Sequence, residues 1–452
     1  MSISREQLVS RISIIWFITC ASALTPRGAQ ALQPLAAFVE SSRGGSPDNQ
    51  EARAQAEQQR AQAQVALGGA LPGLTARGTY TRNQATAEIN LPLDPNGPPI
   101  RAVLTPANQL EALVTLNVPL VDLARFQRIA AARTSARAAE HQARATALQV
   151  EADVVQGYYQ LVANAALVRA SHQALDVARA SLTLTQDRQE AGTVSALDVD
   201  RARAEVERQV QQLASSELAL ALSVRALESL SGLAPELDGS TGATVATTLQ
   251  DDDLQPEPGL ETYLPQEPRL PSLAAAHEST RAAEQQARAQ RLTLLPSLAG
   301  SITERISNAA GFAGNNAAYT ASLSLSWALD YTSFANLRSQ DAALAVARAR
   351  EERARRGVLD TVHRAWSQVA ANIAKSRSAR AQVQASHRAA ELALDRYQVG
   401  ATTQLDLLQA QRDAFTSEVS RIQADAELAN ARAQLRIAAG QSPFASPNDS
   451  DS

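Results

Sequence analysis

Apolar and polar residues alternate along two stretches of the chain. From Leu110 to Leu120 the apolar positions are Leu110, Ala112, Val114, Leu116, Val118 and Leu120, interleaved with Glu111, Thr115 and Asn117. From Tyr319 to Leu329 the pattern is cleaner, with Tyr319, Ala321, Leu323, Leu325, Trp327 and Leu329 set between Thr320, Ser322, Ser324, Ser326 and Ala328. A period of two belongs to a strand with one apolar and one polar face. Each stretch follows a weaker partner, Gly73–Arg82 and Ser297–Arg305. The pattern therefore predicts two hairpins with strands of roughly ten residues.

Elsewhere the chain is helical in character. No proline occurs between Pro119 and Pro235 or from Tyr331 to Gly440, and Ala, Leu, Arg, Gln and Glu dominate both segments, as strong helix formers do. Two very long helices are expected, Ala124–Glu190 and Thr332–Val399. Returning helices, Ser195–Ser231 and Thr403–Ala439, follow them, and shorter helices, Asp48–Ala70 and Ser272–Leu294, precede the strands. At about 1.5 Å per residue the long helices run roughly 100 Å, the returning ones about 55 Å and the preceding ones about 35 Å. The two shorter helices placed end to end nearly match the long one. Dense alanine lets backbones approach closely while each residue buries little, which favours long continuous seams over a compact ball.

The plan is written twice. RQEAGTVSALDV (Arg188–Val199) returns 208 positions later as RYQVGATTQLDL (Arg396–Leu407), and the match runs without gaps from Asp122/Asp330 to Gly232/Gly440. Phe126/Phe334, Gln160/Gln368, Asn164/Asn372, Arg188/Arg396, Gly192/Gly400, Asp198/Asp406 and Leu227/Leu435 are identical pairs. Gly192 and Gly400 stand where a helix ends in a left-handed residue. Ser195 and Thr403 fit the N-cap of the next helix, with Asp198 and Asp406 in its acidic first turn. Upstream, Leu71-Pro72 matches Leu295-Pro296 at an offset of 224. Copy one thus carries 16 extra residues, in the Pro-rich stretch NLPLDPNGPP, which reads as a long external loop.

Arg5 and Arg11 precede an apolar run, Ile12–Leu24, followed by Pro26 and Ala29-Gln30-Ala31. This reads as a secretory signal peptide cleaved before Leu32. The single cysteine, Cys20, lies inside it behind Thr19, a poor neighbour for lipid attachment, so the mature chain has no disulfide. The expected divisions are 1–31, signal peptide; 32–232, first repeat; 233–271, a linker containing Asp251-Asp252-Asp253; 272–440, second repeat; and 441–452, a disordered tail.

A formal net charge of -4 and a pI near 5.9 argue against nucleic acid as a partner. The five histidines are scattered over helical stretches without ligand spacing, and no catalytic constellation or phosphate-cradling loop is present. Neither an enzyme nor a cofactor or metal site is expected. Export together with strands that are apolar on one face and rich in Ser and Thr on the other is the pattern of a transmembrane β-barrel with a watery lumen. Four strands cannot close around a lumen, so the barrel must be shared between chains, and three chains would give twelve strands. The alternative, a soluble periplasmic coiled-coil adaptor or structural rod, accounts for export and helices but not for the paired strands.

The duplicated helix-strand-strand-helix-helix plan, the Leu-Pro approach to each first strand, Val118-Pro119-Leu120-Val121-Asp122 and the two R-x3-G-x4-L-D tips resemble the TolC-type outer-membrane efflux proteins over about residues 33 to 440. The resemblance implies a mainly α fold with a transmembrane β part. A homotrimer would share a twelve-stranded barrel in outer-membrane lipid, continued by a long periplasmic α-barrel. The tips would narrow to a gate and meet an inner-membrane transporter through a periplasmic adaptor, forming a passive exit duct for efflux or type I secretion. By the same resemblance Gly192, Thr193, Ser195, Leu197, Gly400, Thr403 and Leu405 form the periplasmic tip, and Asp198, Asp406 and Gln409 stand at the entrance constriction. Family members often carry a second Asp where this chain has Gln409. Asp406 has two readings, a carboxylate of an entrance ring or a helix-start cap. Copy one departs from the family at its start, where Ser41–Gln50 is more Gly-rich.

Overall fold

The computed structural model describes residues 32–91, 100–237, 254–264, 270–309 and 315–443. The expected signal peptide with Cys20, the acidic part of the expected linker, the core of the Pro-rich stretch and most of the expected tail lie outside the described residues. Within them the helices are α1 (Leu35–Gly45), α2 (Pro47–Gly68), α3 (Leu123–Glu190), α4 (Ala196–Ser231), α5 (Leu260–Tyr263), α6 (Pro271–Leu292), α7 (Tyr331–Gln398) and α8 (Gln404–Ala438). The strands are β1 (Gly73–Arg82), β2 (Ala87–Leu91), β3 (Ile100–Thr105), β4 (Asn108–Val121), β5 (Ser297–Ser307) and β6 (Ala317–Ser326). The long and returning helices fall within a residue or so of the expected ends.

The chain forms two compact units, and each draws on both copies of the repeat. One comprises Pro47–Val150, Gly259–Trp366 and the chain from Leu435; the other comprises the chain up to Ser46, Glu151–Pro258 and Ser367–Gln434.

The first unit holds an antiparallel sheet in the order β1-β4-β5-β6. Residues directly opposite one another share a face, so the pairing sorts the side chains. Thr75, Thr115, Thr303 and Thr320 meet on one face, where Thr115 and Thr303 hydroxyls lie 3.2 Å apart and those of Ser301 and Ser322 2.8 Å apart. Leu74, Leu116, Ile302 and Ala321 meet on the other, beside Leu323 and Leu325, which are about 70 % exposed. β1 and β6 are the edges, each with one side unpaired.

Two strand expectations need correction. β6 stops at Ser326 instead of Leu329, because its partner β5 begins only after Pro296, and the last pair is Ser297 with Ser326. Trp327 leaves the ladder, and its indole Nε1 donates to the Leu294 carbonyl at 3.0 Å. The Pro-rich insertion is not simply a loop, since its flanks pair as a second hairpin, β2 with β3.

In the same unit α3 and α7 start alike. Asp122 accepts the Arg125 main-chain N–H at 2.8 Å, and Asp330 accepts the N–H and hydroxyl of Ser333, both at 2.7 Å. This shared N-cap explains an identical pair of the repeat. Alanines 131, 138, 275, 282 and 289 are buried, and polar side chains pin the seam: Thr134 donates to Gln285 at 2.8 Å and Arg137 pairs with Glu278 at 3.0 Å.

The second unit repeats its own devices. Asn164 Nδ2 donates to the Ala219 carbonyl at 3.1 Å and Asn372 Nδ2 to the Glu427 carbonyl at 3.2 Å, each amide accepting from Gln160 or Gln368. The short helix α1, which the Gly-rich start concealed, docks here. Phe38 is fully buried with its ring 5.9 Å from that of Tyr158, and Arg43 pairs with Glu151 at 2.8 Å.

Candidate functional site

Both helical hairpins turn within the second unit, and both turns are built the same way. Gly192 has φ 75° and Gly400 φ 78°, a left-handed conformation that a Cβ disfavours. Beyond each glycine the chain bonds back to the helix it leaves: Thr193 N–H donates to the Arg188 carbonyl at 3.0 Å, and Ala401 N–H to that of Arg396 at 2.8 Å. These six-to-one bonds satisfy carbonyls at the end of α3 and α7.

The next helix then starts with reciprocal capping. The Asp198 carboxylate accepts the Ser195 N–H at 3.2 Å and its hydroxyl at 2.8 Å. Asp406 accepts the Thr403 hydroxyl at 2.7 Å, the Thr403 N–H at 3.3 Å and the Thr402 hydroxyl at 3.1 Å, while Asp406 N–H donates to the Thr403 hydroxyl at 3.2 Å. The Thr403 hydroxyl, its N–H and the Thr402 hydroxyl together hold Asp406 below the usual carboxylate range. The helix-start role of Asp406 is thus present within one chain. Gln409 is exposed and donates to Asp413 at 2.9 Å.

The apolar side chains of the tips are left in water: Leu197 is 57 % exposed and Leu405 55 %. Val399, which sequence reasoning missed, is exposed further still, whereas its counterpart in copy one is Ala191.

A contact joining the hairpins carries no signal in the repeat, because its aromatic half exists in one copy alone. Tyr397, buried, has Gln189 as its counterpart. The Arg188 guanidinium lies 4.7 Å over the Tyr397 ring and donates to the Tyr397 carbonyl. Below it the Tyr397 hydroxyl donates to Thr185 at 3.4 Å, and Thr185 Oγ1 lies 3.2 Å from Gln404 Oε1. Deeper, Glu205 on α4 is almost fully buried. It pairs with Arg208 on its own helix and with Arg412 on α8, the latter at 2.7 Å. Burial pushes its carboxyl up, but hydrogen bonds from Arg208, Gln209 and Arg412 outweigh this and hold it below the usual range. Among the described residues no group of three or more His, Cys, Asp or Glu side chains is placed to hold a metal ion.

The outer membrane efflux protein family matches residues 39–233 and 268–441. The outer membrane protein OprJ of Pseudomonas aeruginosa is 28 % identical over 393 residues, which cover 81 % of this chain and 75 % of OprJ. In fold, the chain is similar to the crystal structure of a membrane protein from Pseudomonas aeruginosa, with a TM-score of 0.73, 22 % identity and coverage of 90 % of this chain and 93 % of that one. It is similar also to the CmeC outer membrane channel of Campylobacter jejuni, with a TM-score of 0.72, 17 % identity and coverage of 92 % and 88 %.

Proposed function

The chain belongs to the outer membrane efflux protein family, and from that premise we propose that three copies close a shared barrel and form one passive exit duct. As a member it is an outer-membrane efflux channel extending into the periplasm, and not an enzyme. The observation that carries the trimer is the sheet: four strands with an apolar face and two open edges. An open edge offers unpaired N–H and C=O groups that a membrane protein must satisfy, and closure into a barrel does so. Twelve strands leave room for a lumen lined by the Ser and Thr face. A soluble rod would gain nothing from exposing Leu323 and Leu325 on such a sheet.

In the second unit, Leu197, Val399 and Leu405 are exposed beside the left-handed glycine turns. They suit a periplasmic adaptor whose own apolar residues cover them, and through it an inner-membrane transporter that supplies the energy. Asp406 from each chain would stand near the mouth, with Gln409 a turn deeper.

Native mass spectrometry and planar-bilayer recording of the purified protein test the duct. The expected result is a trimer with a single defined conductance. Monomers that insert without conductance would overturn it.

A further inference from the structure

In the second unit, α3, α4, α7 and α8 surround a cleft of about 250 Å³. It exists because Ala170, Ala174, Ala178, Ala390 and Ala414 line it where larger side chains would fill the seam. Its apolar wall is completed by Val177, Leu394 and Phe415.

One polar atom in the wall is unaccounted for. Gln209 is 6 % exposed, and its Nε2 donates to Glu205 Oε1 at 2.9 Å, but its Oε1 has no hydrogen-bond partner although buried. The amide cannot usefully flip, because a carboxylate held ionised by Arg208 and Arg412 accepts only, so the carbonyl oxygen is the atom left over. A buried acceptor without a donor is rare in a native fold and calls for a partner.

The charge of the lining says what kind of donor. Three carboxylates, Glu205, Glu391 and Glu418, line the cleft, with no Lys or Arg among the lining residues. Glu205 is engaged by its arginines and Glu418 by Arg421, at 2.7 Å. Glu391, on exposed α7 surface, has no ion pair among the described residues. From the vacant carbonyl of Gln209, the unpaired Glu391 and the apolar wall, we propose that this cleft binds a small protonated amine with an aromatic or aliphatic body. The ammonium donates to Gln209 Oε1 and is drawn by Glu391, and the body lies against Phe415 and Leu394. This site lies in the wall of the helical part and does not depend on the duct reading, since it is read by binding and not by transport.

The test is a ¹⁹F NMR titration of the full chain in lipid nanodiscs with 4-fluorophenethylammonium, using empty nanodiscs to subtract partitioning into lipid. The neutral 4-fluorophenethyl alcohol and the anionic 4-fluorophenylacetate serve as probes of charge. Saturable binding of the ammonium is expected, with the alcohol about tenfold weaker and the acid weaker still. Gln209→Leu and Phe415→Ala should each weaken the ammonium about tenfold and Glu391→Gln about threefold. If Gln209→Leu does not assemble, Phe415→Ala and the exposed Glu391→Gln decide. Unchanged affinity in both, equal affinity for the three probes, or no saturable binding, which leaves water as the partner of Gln209, would overturn the site.

Discussion

Arg188 lies over the ring of Tyr397 and donates to its main-chain carbonyl, although the two are 209 positions apart. The first copy supplies the cation and the second the buried aromatic face. A stacked guanidinium of this kind contributes about 0.5–2 kcal/mol, and a charged hydrogen bond about 1.5–3 kcal/mol. Arg188→Ala is therefore expected to lower the local opening free energy of the paired hairpins by about 1–3 kcal/mol. Hydrogen exchange checks it: peptides around Thr185 and Tyr397 should lose protection while peptides of β4 and β5 keep theirs. Exchange that is unchanged at both sites would show that the contact joins nothing.

The two faces of β6 are separable by neighbouring residues. Leu323 is on the apolar face and Ser324 on the Ser and Thr face. If the apolar face meets lipid, Leu323→Arg costs about 2–4 kcal/mol near the bilayer midplane, whereas an arginine at Ser324 stays wetted in the lumen. Trimer yield after extraction should fall sharply for Leu323→Arg and little for Ser324→Arg. Equal yields would contradict the face assignment.

Glu205 gives the helical unit a defined acid response. Its folded pKa is depressed, so its stabilisation is fully present above the ordinary carboxylate range and is lost as pH falls through the folded value. Glu205→Ala should destabilise the neutral protein by about 1–3 kcal/mol. That is less than for a fully buried pair, because Arg208 and Arg412 keep 44 % and 39 % of their side chains in water. Melting curves of variant and wild type should differ at pH 7 and converge toward pH 3. A constant gap across that range would remove the charge from the explanation.

Much of this architecture was legible because its signals are periodic and repeated. A helix of 68 residues announces itself over many turns, and β1 falls on the expected span of Gly73–Arg82. Gly192, Gly232, Gly400 and Gly440 all have left-handed φ, and they are two pairs related by the offset of the repeat. What escaped notice depended on partners. β6 ends early because of a proline in a different strand, and α1 hides behind two glycines that its docking against Tyr158 overrides. The tip residues follow from the motif, but their contact does not: Arg188 recurs as Arg396, whereas Tyr397 stands where the first copy has Gln189, so the repeat that marks the tips gives no sign of the aromatic half of the contact.

The tips carry their own test, on residues outside the strands. Leu197 and Leu405 occupy equivalent exposed positions one residue before the capping aspartates. Burying such a side chain in an interface contributes about 1–2 kcal/mol, and the proposed trimer would present six of them, so small contributions would add through avidity. An aspartate there replaces the apolar contact with a charge that must be desolvated. Leu405→Asp is therefore expected to abolish efflux-dependent resistance while trimer yield and bilayer conductance stay at wild-type values. Gly400→Val is a poorer probe, because at φ 78° it strains the turn and its Cβ would stand 3.5 Å from Arg188 Nη2. Asp406→Ala supplies the contrast. It removes the cap of α8 and a charge but leaves Leu405 in place, so it should change cation preference in bilayers if Asp406 lines the mouth, with resistance retained. Conductance and selectivity both unchanged in Asp406→Ala would confine that carboxylate to starting its helix. Normal resistance in Leu405→Asp would take the docking role from the tip.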